Sequence, residues 1–356
     1  MNIPRRKDII KQAKEKGDKI AAVMPIHYPR ALLRAYGFQP IELWGPPHVD
    51  HMGGVQHFPE YTCDIVHKST YFLNSDEAKD VACTLIPHTC DSLQGMASVI
   101  NDFIKPQSPI LTLYHPRGRR KSDFLFMEKE LKSLSAKLET VSGKSPSDSE
   151  LLEHIRLENE AITVFEKVAM SREQYSLTDR EFYTLLRSRE YLPAETFIEL
   201  AQKIPAGKPD LKGPGIMLSG IVPEPMALFD HINRFGAHVI CDDLACCSRR
   251  IYQPCWGDDP ISILANQMLS MPPDTTISTP FAERFAYLKK RVNEKGAQGM
   301  LVYNIKFCEP ELFYMPLLEK AMKDISKPFL FIETELSDEL SHQILNRINA
   351  FVEVLS

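Results

Sequence analysis

The sequence lacks the compact cysteine motifs of common metal sites. Its 356 residues include eight cysteines but no CxxC and no CxxH, which excludes a zinc finger and a ferredoxin-type cluster motif. In a reducing cytosol, cysteines that come together bind metal or act in catalysis more often than they form disulfides. Any metal site must therefore be assembled from cysteines that are far apart along the chain.

Three further features are missing. The formal net charge is −5, whereas nucleic-acid binding requires a basic face. No stretch approaches the roughly 18 to 20 apolar residues that span a bilayer. Residues 1–19 are basic but include Asp8, Glu15 and Asp18, and they lack the apolar core of a secretory signal. We therefore expect an exposed amphipathic helix at this end and a cytoplasmic protein that binds neither nucleic acid nor membrane.

The chain is long enough for two domains, and its pattern of strands and helices divides it into three parts. Each half alternates apolar strand patterns with helical patterns, as parallel βαβ units do. The middle contains helical patterns alone, over 151–170, 178–191 and 193–204. Residues 45–70 are interpreted as irregular, and residues 250–280 as a segment interrupted by prolines. The predicted strands cover 20–26, 40–45, 81–87 and 109–116, then 215–220, 238–244, 298–307 and 327–336.

This pattern predicts an α/β protein with two flavodoxin- or Rossmann-like parallel-sheet domains facing a cleft. The predicted units are an N-terminal α/β domain (1–145), a helical connector (146–205) and a C-terminal α/β domain (206–356). Ligands of such sheets bind beyond the carboxyl ends of the strands. The cleft edge is therefore where functional residues are expected.

Two cysteines follow predicted strands in similar contexts. In LIPHTCDSLQ (85–94), the apolar run ends at Pro87 and Cys90 stands just before a predicted helix over 91–103. In NIKFCEPELF (304–313), Cys308 follows the strand in the same way. The N–H groups and positive dipole end of a helix favour a thiolate, the form of cysteine that binds metal or attacks a substrate.

Cys63 is the third cysteine predicted to lie in a loop at the edge between the domains. Three thiolates could hold a [4Fe–4S] cluster and leave one iron open to water or substrate. The alternative is three unrelated buried thiols, since free cysteine is among the most buried residue types.

Several segments resemble one known family in the same order. LIPHTCDSLQ is followed by CDDLACCSRR and then by NIKFCEPELF; the opening IAAVMPIHYPRALLRAYGFQPIELWG and the closing ILNRINAFVEVL are similar as well. Together they resemble the 2-hydroxyacyl-CoA dehydratase / benzoyl-CoA reductase subunit family over nearly the whole chain. The resemblance implies two Rossmann-like lobes that hold a [4Fe–4S] cluster through Cys63, Cys90 and Cys308.

The resemblance also implies a reaction. The chain would be an iron–sulfur subunit of a radical 2-hydroxyacyl-CoA dehydratase, in which one low-potential electron converts the thioester into a ketyl radical that expels hydroxide. Its implied partners are a paralogous second subunit (or a second copy of the chain), an acyl-CoA substrate and a separate ATP-dependent activator. The sequence has no P-loop GxxxxGK[ST], so any ATP must be hydrolysed by another protein.

Two alternatives remain open. The chain could be a subunit of an ATP-driven benzoyl-CoA-type or small-molecule reductase. It could also be a partner subunit that relays electrons and has no substrate of its own.

The chain departs from the family pattern at two places. Ala245, Cys246 and Cys247 follow the DDL of the sixth strand, where family members often carry a cysteine or small polar residue directly after it. Cys246 or Cys247 could be an extra ligand or help to hold a larger iron–sulfur assembly, or both could pack locally. Asn346–Arg347 stands where a threonine–arginine pair is expected, which leaves the identity of the substrate open.

Polar residues at other strand ends are candidates for chemistry. His27 and Tyr28 follow the first strand and could reach a substrate carbonyl or hydroxyl. His88, two residues before Cys90, could hydrogen-bond a cluster sulfur or simply face solvent.

Charged residues follow the fourth and sixth strands. A basic loop after the fourth strand suits the phosphates of coenzyme A, although a solvated loop is the default; it contains Arg117, Arg119 and Arg120. Asp242 and Asp243, at the end of the sixth strand, are expected to orient Arg249 or cap a helix.

Overall fold

Two separate four-stranded sheets, each entirely parallel, organise the chain. The computed structural model describes residues 2–46, 57–210 and 212–356. The first sheet has the order β2-β1-β3-β4 and the second the order β6-β5-β7-β8. The strands are β1 Lys19–Val23, β2 Phe38–Glu42, β3 Val81–His88, β4 Ile110–Tyr114, β5 Gly215–Gly220, β6 His238–Leu244, β7 Gly299–Ile305 and β8 Phe329–Thr334. The α/β class and the four strands predicted for each half are confirmed.

Thirteen α-helices connect and cover the sheets in the described part of the chain. They are α1 Arg6–Glu15, α2 Arg30–Ala35, α3 Asp64–Leu73, α4 Asp91–Val99, α5 Lys121–Ser142, α6 Asp148–Met170, α7 Asp179–Arg187, α8 Ala194–Gln202, α9 Ala227–Arg234, α10 Pro260–Leu269, α11 Phe281–Lys295, α12 Glu309–Asp324 and α13 His342–Leu355. None of these helices has the length and apolar character that a membrane span requires.

The local sequence explains where these elements form. The central strands β5 and β7 are buried at every residue, which is why they appear as continuous apolar runs rather than alternating patterns. The connector helix α6 begins at a capping box, in which the Ser147 hydroxyl accepts from the Glu150 N–H and the Glu150 carboxylate accepts from the Ser147 N–H.

Two helices were not predicted from the sequence: one begins in the stretch interpreted as irregular, and the other lies in the proline-interrupted stretch. Helix α3 begins within 45–70 and extends to Leu73; its β-branched residues, such as Ile65 and Val66, have low helix propensity, but they are buried in the core and packing stabilises the helix. Helix α10 lies within 250–280 and begins at Pro260, which needs no hydrogen-bond acceptor in the first turn, after the Asp259 cap. Residues 47–56 of the first stretch lie outside the described residues.

The N-terminal helix α1 is amphipathic as predicted but not simply exposed, because Ile9 and Ala13 on one face are buried. Helix α10 belongs to the second half of the chain, yet Leu264 and Met268 pack in one core with α5 and the first sheet. A larger core contains residues from both sheets. The two halves therefore share their apolar interior, while the domain boundaries remain a prediction.

Candidate functional site

The three predicted ligand cysteines occupy equivalent local positions. Cys63, Cys90 and Cys308 are the N-cap residues of α3, α4 and α12, and each is partly exposed. Helices α4 and α12 follow β3 and β7, which hold the same place in the order of their two sheets. The two sheets thus each present one cysteine at the carboxyl end of the corresponding strand.

First-turn N–H groups of each helix favour the charged form of its own cysteine. Those of Val66 and Ile65 lower the pKa of Cys63 against the effect of burial, those of Leu93 and Ser92 act in the same way on Cys90, and that of Glu311 acts on Cys308. The positive end of a helix thus lies beside a side chain that carries negative charge when bound to metal.

The three thiols also lie within electrostatic range of one another. Burial, and then the neighbouring Cys63, raise the pKa of Cys90 to about 12. Burial likewise raises the pKa of Cys308 well above its ordinary value, with contributions from Glu311 and then from both other cysteines. The Ser92 side chain, two residues from Cys90, acts in the opposite direction on Cys63 and lowers its pKa against burial. The structure therefore brings these three distant cysteines to one place.

The chemistry of the donors is compatible with an iron–sulfur cluster, because thiolates are the ligands of such clusters. No group of three or more His, Cys, Asp or Glu side chains in the described ranges is spaced to hold one metal ion. In a cubane each thiolate would bind a different iron, so its ligands stand farther apart than those of one ion. The raised pKa values belong to metal-free thiols, which would lose their protons on binding metal.

A buried carboxylate lies beside Cys308. Glu311, in the first turn of α12, is 1% exposed; it accepts hydrogen bonds from Arg249 Nη1 and from Thr275 Oγ1, the latter at 2.9 Å. Arg249 Nη2 also donates to Asp243 Oδ2 at 3.0 Å, which confirms that Asp243 orients Arg249. The sequence offered no sign of the Glu311 contact, because a glutamate at this helix position ordinarily caps its own helix.

Cys246 and Cys247 lie in the core with no exposure. Their sulfurs are 3.6 Å apart, and burial, then the Cys246 neighbour, raises the pKa of Cys247. Asp242 accepts from Ser248 N and Oγ at 3.0 and 2.9 Å, so it caps the short 3-10 helix that begins there, as expected. A role of these two cysteines as extra ligands stays a prediction.

His27 is fully buried at the boundary of the two halves. Its Nε2 lies 3.8 Å from Asp274 Oδ2, its Nδ1 lies 3.1 Å from Met271 Sδ, and its ring centroid is 5.1 Å from that of His115. Asp274 is 3.7 Å from Arg249 Nη1. Neither Asp274 nor His115 was predicted, because Asp274 lies in the stretch between α10 and α11 and His115 carries no motif.

Tyr28 is part of a buried ion-pair cluster. Its hydroxyl donates to Glu42 Oε1 at 2.8 Å, Trp44 Nε1 donates to Glu42 Oε2 at 2.9 Å, and Arg250 contacts both Glu42 oxygens at 2.9 Å. Burial raises the pKa of Tyr28 strongly. Glu42 ends β2 and Arg250 follows β6, so this pair joins the two lobes.

Removing the Glu42 charge is expected to destabilise the fold. Burial alone would raise the pKa of Glu42, but the Arg250 charge and its hydrogen bonds outweigh burial and lower it to about 2. A Glu42→Gln change leaves Arg250 buried without its counter-ion, at a cost of about 3 kcal/mol or more. Urea unfolding measures this loss; Glu60→Gln, an exposed change, is the control and should alter stability by less than about 0.5 kcal/mol.

The same pair predicts how stability depends on pH. Because the folded pKa of Glu42 is depressed, its contribution is fully present above the unfolded value near 4.3 and is lost as pH falls toward 2. The difference in urea-unfolding free energy between wild type and Glu42→Gln should therefore shrink over this window. A difference that stays constant down to pH 3 would contradict the role of the Glu42 charge.

His88 is the last residue of β3 and lies half-buried beside Cys90. Its ring packs edge-on against Tyr114 at 4.4 Å, and burial lowers its pKa. Neither ring nitrogen has a hydrogen-bond partner among the described residues. His88 therefore has a ring N–H available for a ligand. The hydrogen bond to a cluster sulfur that the sequence suggested stays a prediction.

The three arginines of the β4–α5 loop do not share one environment. Arg119 donates to the Met271 carbonyl at 2.8 Å and pairs with Glu283 at 3.3 Å, whereas Arg120 pairs with Asp123 of its own helix at 2.9 Å. Arg117 and Arg119 line a cavity of about 230 Å³. Of the three predicted phosphate ligands, Arg117 and Arg119 therefore line the same cavity.

Comparisons with known proteins match the sequence to one family. A family model described as 2-hydroxyglutaryl-CoA dehydratase, D-component, matches residues 25–355. The chain is 24% identical to the (R)-phenyllactyl-CoA dehydratase beta subunit of Clostridium sporogenes, over 98% of this chain and 95% of that protein. It is 25% identical to the lactoyl-CoA dehydratase subunit beta of Anaerotignum propionicum, over 96% and 93%.

A further relative has a different name. It is a subunit of the benzoyl-CoA reductase of Thauera aromatica, 24% identical over 88% of this chain and 84% of that protein. The family model covers nearly all of this chain, including all three cysteines. The chain belongs to the 2-hydroxyglutaryl-CoA dehydratase, D-component family.

Proposed function

We propose that this protein is the iron–sulfur subunit of a 2-hydroxyacyl-CoA dehydratase that eliminates water through a radical reaction. The convergence of Cys63, Cys90 and Cys308 at three helix N-termini, within electrostatic range of one another, carries the proposal. Dehydratase subunits are among the relatives that match it over nearly their full length, so the chain is a dehydratase-like enzyme.

The three thiolates would hold a [4Fe–4S] cluster, and the first-turn N–H groups would stabilise their charge. When bound, such a cluster with three protein ligands supplies low-potential electron transfer and an open iron that can accept a leaving hydroxide. One electron on the thioester would give a ketyl radical that expels hydroxide, a protein base would take the β-proton that has become acidic, and return of the electron would leave the 2-enoyl thioester and water. The reaction then has no net oxidation or reduction.

Other side chains would assist in this reaction. His27 Nε2 lies 3.8 Å from Asp274 Oδ2, and we assign His27 the role of the base that takes the β-proton. His88 would donate a hydrogen bond toward the sulfur ligands. Tyr28 contributes by fixing Glu42 and Arg250 across the lobes, because its own proton is committed to Glu42.

The proposal includes partners. The relatives are named as subunits, so we assign a paralogous second subunit or a second copy of this chain, together with an acyl-CoA substrate whose phosphates Arg117 and Arg119 would meet. The chain has no nucleotide-binding P-loop. A separate ATP-dependent activator would therefore supply the electron.

A second candidate is favoured by one comparison. The likeness to the benzoyl-CoA reductase of Thauera aromatica supports a reductase subunit, or a partner that relays electrons, as the alternative. The two reactions differ in what is consumed, because a reductase uses reducing equivalents in every turnover and a dehydratase returns its electron.

An assay with purified protein tests the function. Under anaerobic conditions, with a low-potential reductant and an activator, we expect conversion of a 2-hydroxyacyl-CoA into the 2-enoyl-CoA without stoichiometric consumption of reductant. Iron and sulfide analysis with EPR should show about four irons per chain. Turnover of an aromatic acyl-CoA with consumption of reductant would establish the alternative, and protein without iron would refute both.

A further inference from the structure

We propose that a partly enclosed cavity among α2, α6 and α10 is a binding site for a small monocarboxylate of the size of formate or acetate. This inference goes beyond the proposed function and does not depend on a cluster. The cavity measures about 40 Å³, whereas about 10–15 Å³ holds one water molecule. It therefore has room for roughly three to four heavy atoms.

The cavity is lined by both charged and apolar residues. The charged ones are Arg30, Arg189, Arg250 and Glu158, and Gln267 is among the uncharged polar ones. The apolar residues include Ile162, Leu264, Met268 and Met271. A carboxylate group with a hydrogen or methyl substituent matches both kinds of lining residue.

The cations around the cavity outnumber the anions by one. Arg250 is paired with Glu42 through two hydrogen bonds, and Arg189 donates to Glu158 at 2.5 Å. Arg30 is the third cation; its Nη1 lies 3.4 Å from Glu42 Oε1 and its Nη2 donates to the Leu192 carbonyl at 3.1 Å, so three guanidinium groups share the two carboxylates Glu42 and Glu158. Its Nε is 3.6 Å from the same Glu158 oxygen and has no hydrogen-bond partner among the described residues. Burying an unbalanced charge is costly, so this site favours an added anion.

The surrounding ion pairs do not remove this excess. The next carboxylate, Glu190, accepts from Arg187 at 2.7 Å and from Arg6 at 2.9 Å, and Arg187 also pairs with Glu224. The charges of Arg6, Arg187, Glu190 and Glu224 therefore sum to zero. Burial lowers the pKa of Arg189, and the Arg30 and Arg250 charges lower it further against the opposing effect of Glu158, whereas their anionic neighbours raise the pKa values of Arg30 and Arg250.

The chemistry of the donors selects a carboxylate. Guanidinium groups present parallel N–H donors that match two carboxylate oxygens. A halide would balance the positive charge of the arginines but would make no apolar contact with the aliphatic and methionine side chains of the lining. A larger acid would exceed the volume, so size gives a second means of discrimination.

Thermal unfolding of the anaerobically purified full chain tests the site. We compare sodium acetate, sodium chloride and sodium gluconate at equal ionic strength and pH; gluconate carries the same charged group but is too large to enter. Acetate is expected to raise Tm by about 2 °C over gluconate, in a saturable manner. Equal Tm values in acetate and gluconate would overturn the site, and equal stabilisation by chloride would overturn the carboxylate assignment.

A matched pair of variants locates the effect. Ala31→Val adds two methyl groups at a buried residue that lines the cavity, whereas Ala35→Val makes the same change one turn later on α2, outside the cavity lining. The acetate effect should disappear in the first variant and persist in the second. Persistence in both would overturn the location. Calorimetric titration of the wild-type protein with formate gives a readout that needs no variant, and absence of saturable heat would refute binding.

Discussion

Cys308→Ser and Cys90→Ser are each expected to lower the iron content of anaerobically purified protein from about four atoms per chain to less than one. Each cysteine would supply one of only three protein ligands, and a serine hydroxyl is a poor replacement for the soft thiolate that iron–sulfur clusters require. Dehydratase activity should fall to background with the iron. Iron and sulfide analysis, with EPR of the reduced protein, measures the loss.

Cys255→Ser is the matched control, because Cys255 is also a free and partly exposed thiol, and its Sγ donates to the nearby Gln253 carbonyl at 3.4 Å. It should keep full iron and activity. Cys246→Ser and Cys247→Ser distinguish a single cluster from a larger assembly: unchanged iron supports the single cluster with three protein ligands. Iron that remains bound in Cys90→Ser would contradict the site.

The architecture could be predicted from sequence because buried parallel strands are nearly continuous apolar runs. The segments 215–220 and 238–244 were predicted with the boundaries that the structure shows. The location of Cys90 and Cys308 followed from the same logic, since each stands between an apolar run and a helical pattern. Local periodicity thus determined which cysteines end strands.

The missed helices show the limit of local signals. Helix α3 is rich in residues with low helix propensity, and its stability depends on burial against other elements. Proline near the start of α10 indicates an interruption when taken alone, although it is favourable in the first turn. Tertiary packing stabilises α3, and the position of its proline in the first turn is compatible with α10; neither cause is visible in a local sequence pattern.

Sequence analysis missed, above all, the contacts between residues that are far apart along the chain. Glu42 and Arg250 are 208 positions apart, and nothing near either residue indicates that they pair. The pairing of Arg249 with Glu311, 62 positions apart, is equally invisible. Composition reveals that such charges exist, but only the fold determines which of them are buried together.

Glu311→Gln is expected to raise the reduction potential of the cluster. Its carboxylate is buried beside Cys308, where the low dielectric strengthens its effect on the sulfur. Removing this negative charge leaves the positive charge of Arg249 and favours the reduced, more negative state. The side-chain amide can still accept from Arg249 and Thr275, so the geometry is retained. We expect at least a tenfold change in the reduction equilibrium, which is 59 mV for a one-electron couple, measured by EPR-monitored redox titration.

Glu309→Gln provides the control because it removes the same charge from the first turn of the same helix, even closer in sequence to Cys308. Glu309 is exposed, so water and salt screen its charge and its effect on the potential should be several-fold smaller. Both variants should retain full iron, which separates a change in potential from a loss of ligation. Equal shifts in the two variants would show that proximity along the helix, rather than burial of the Arg249–Glu311 pair, sets the potential.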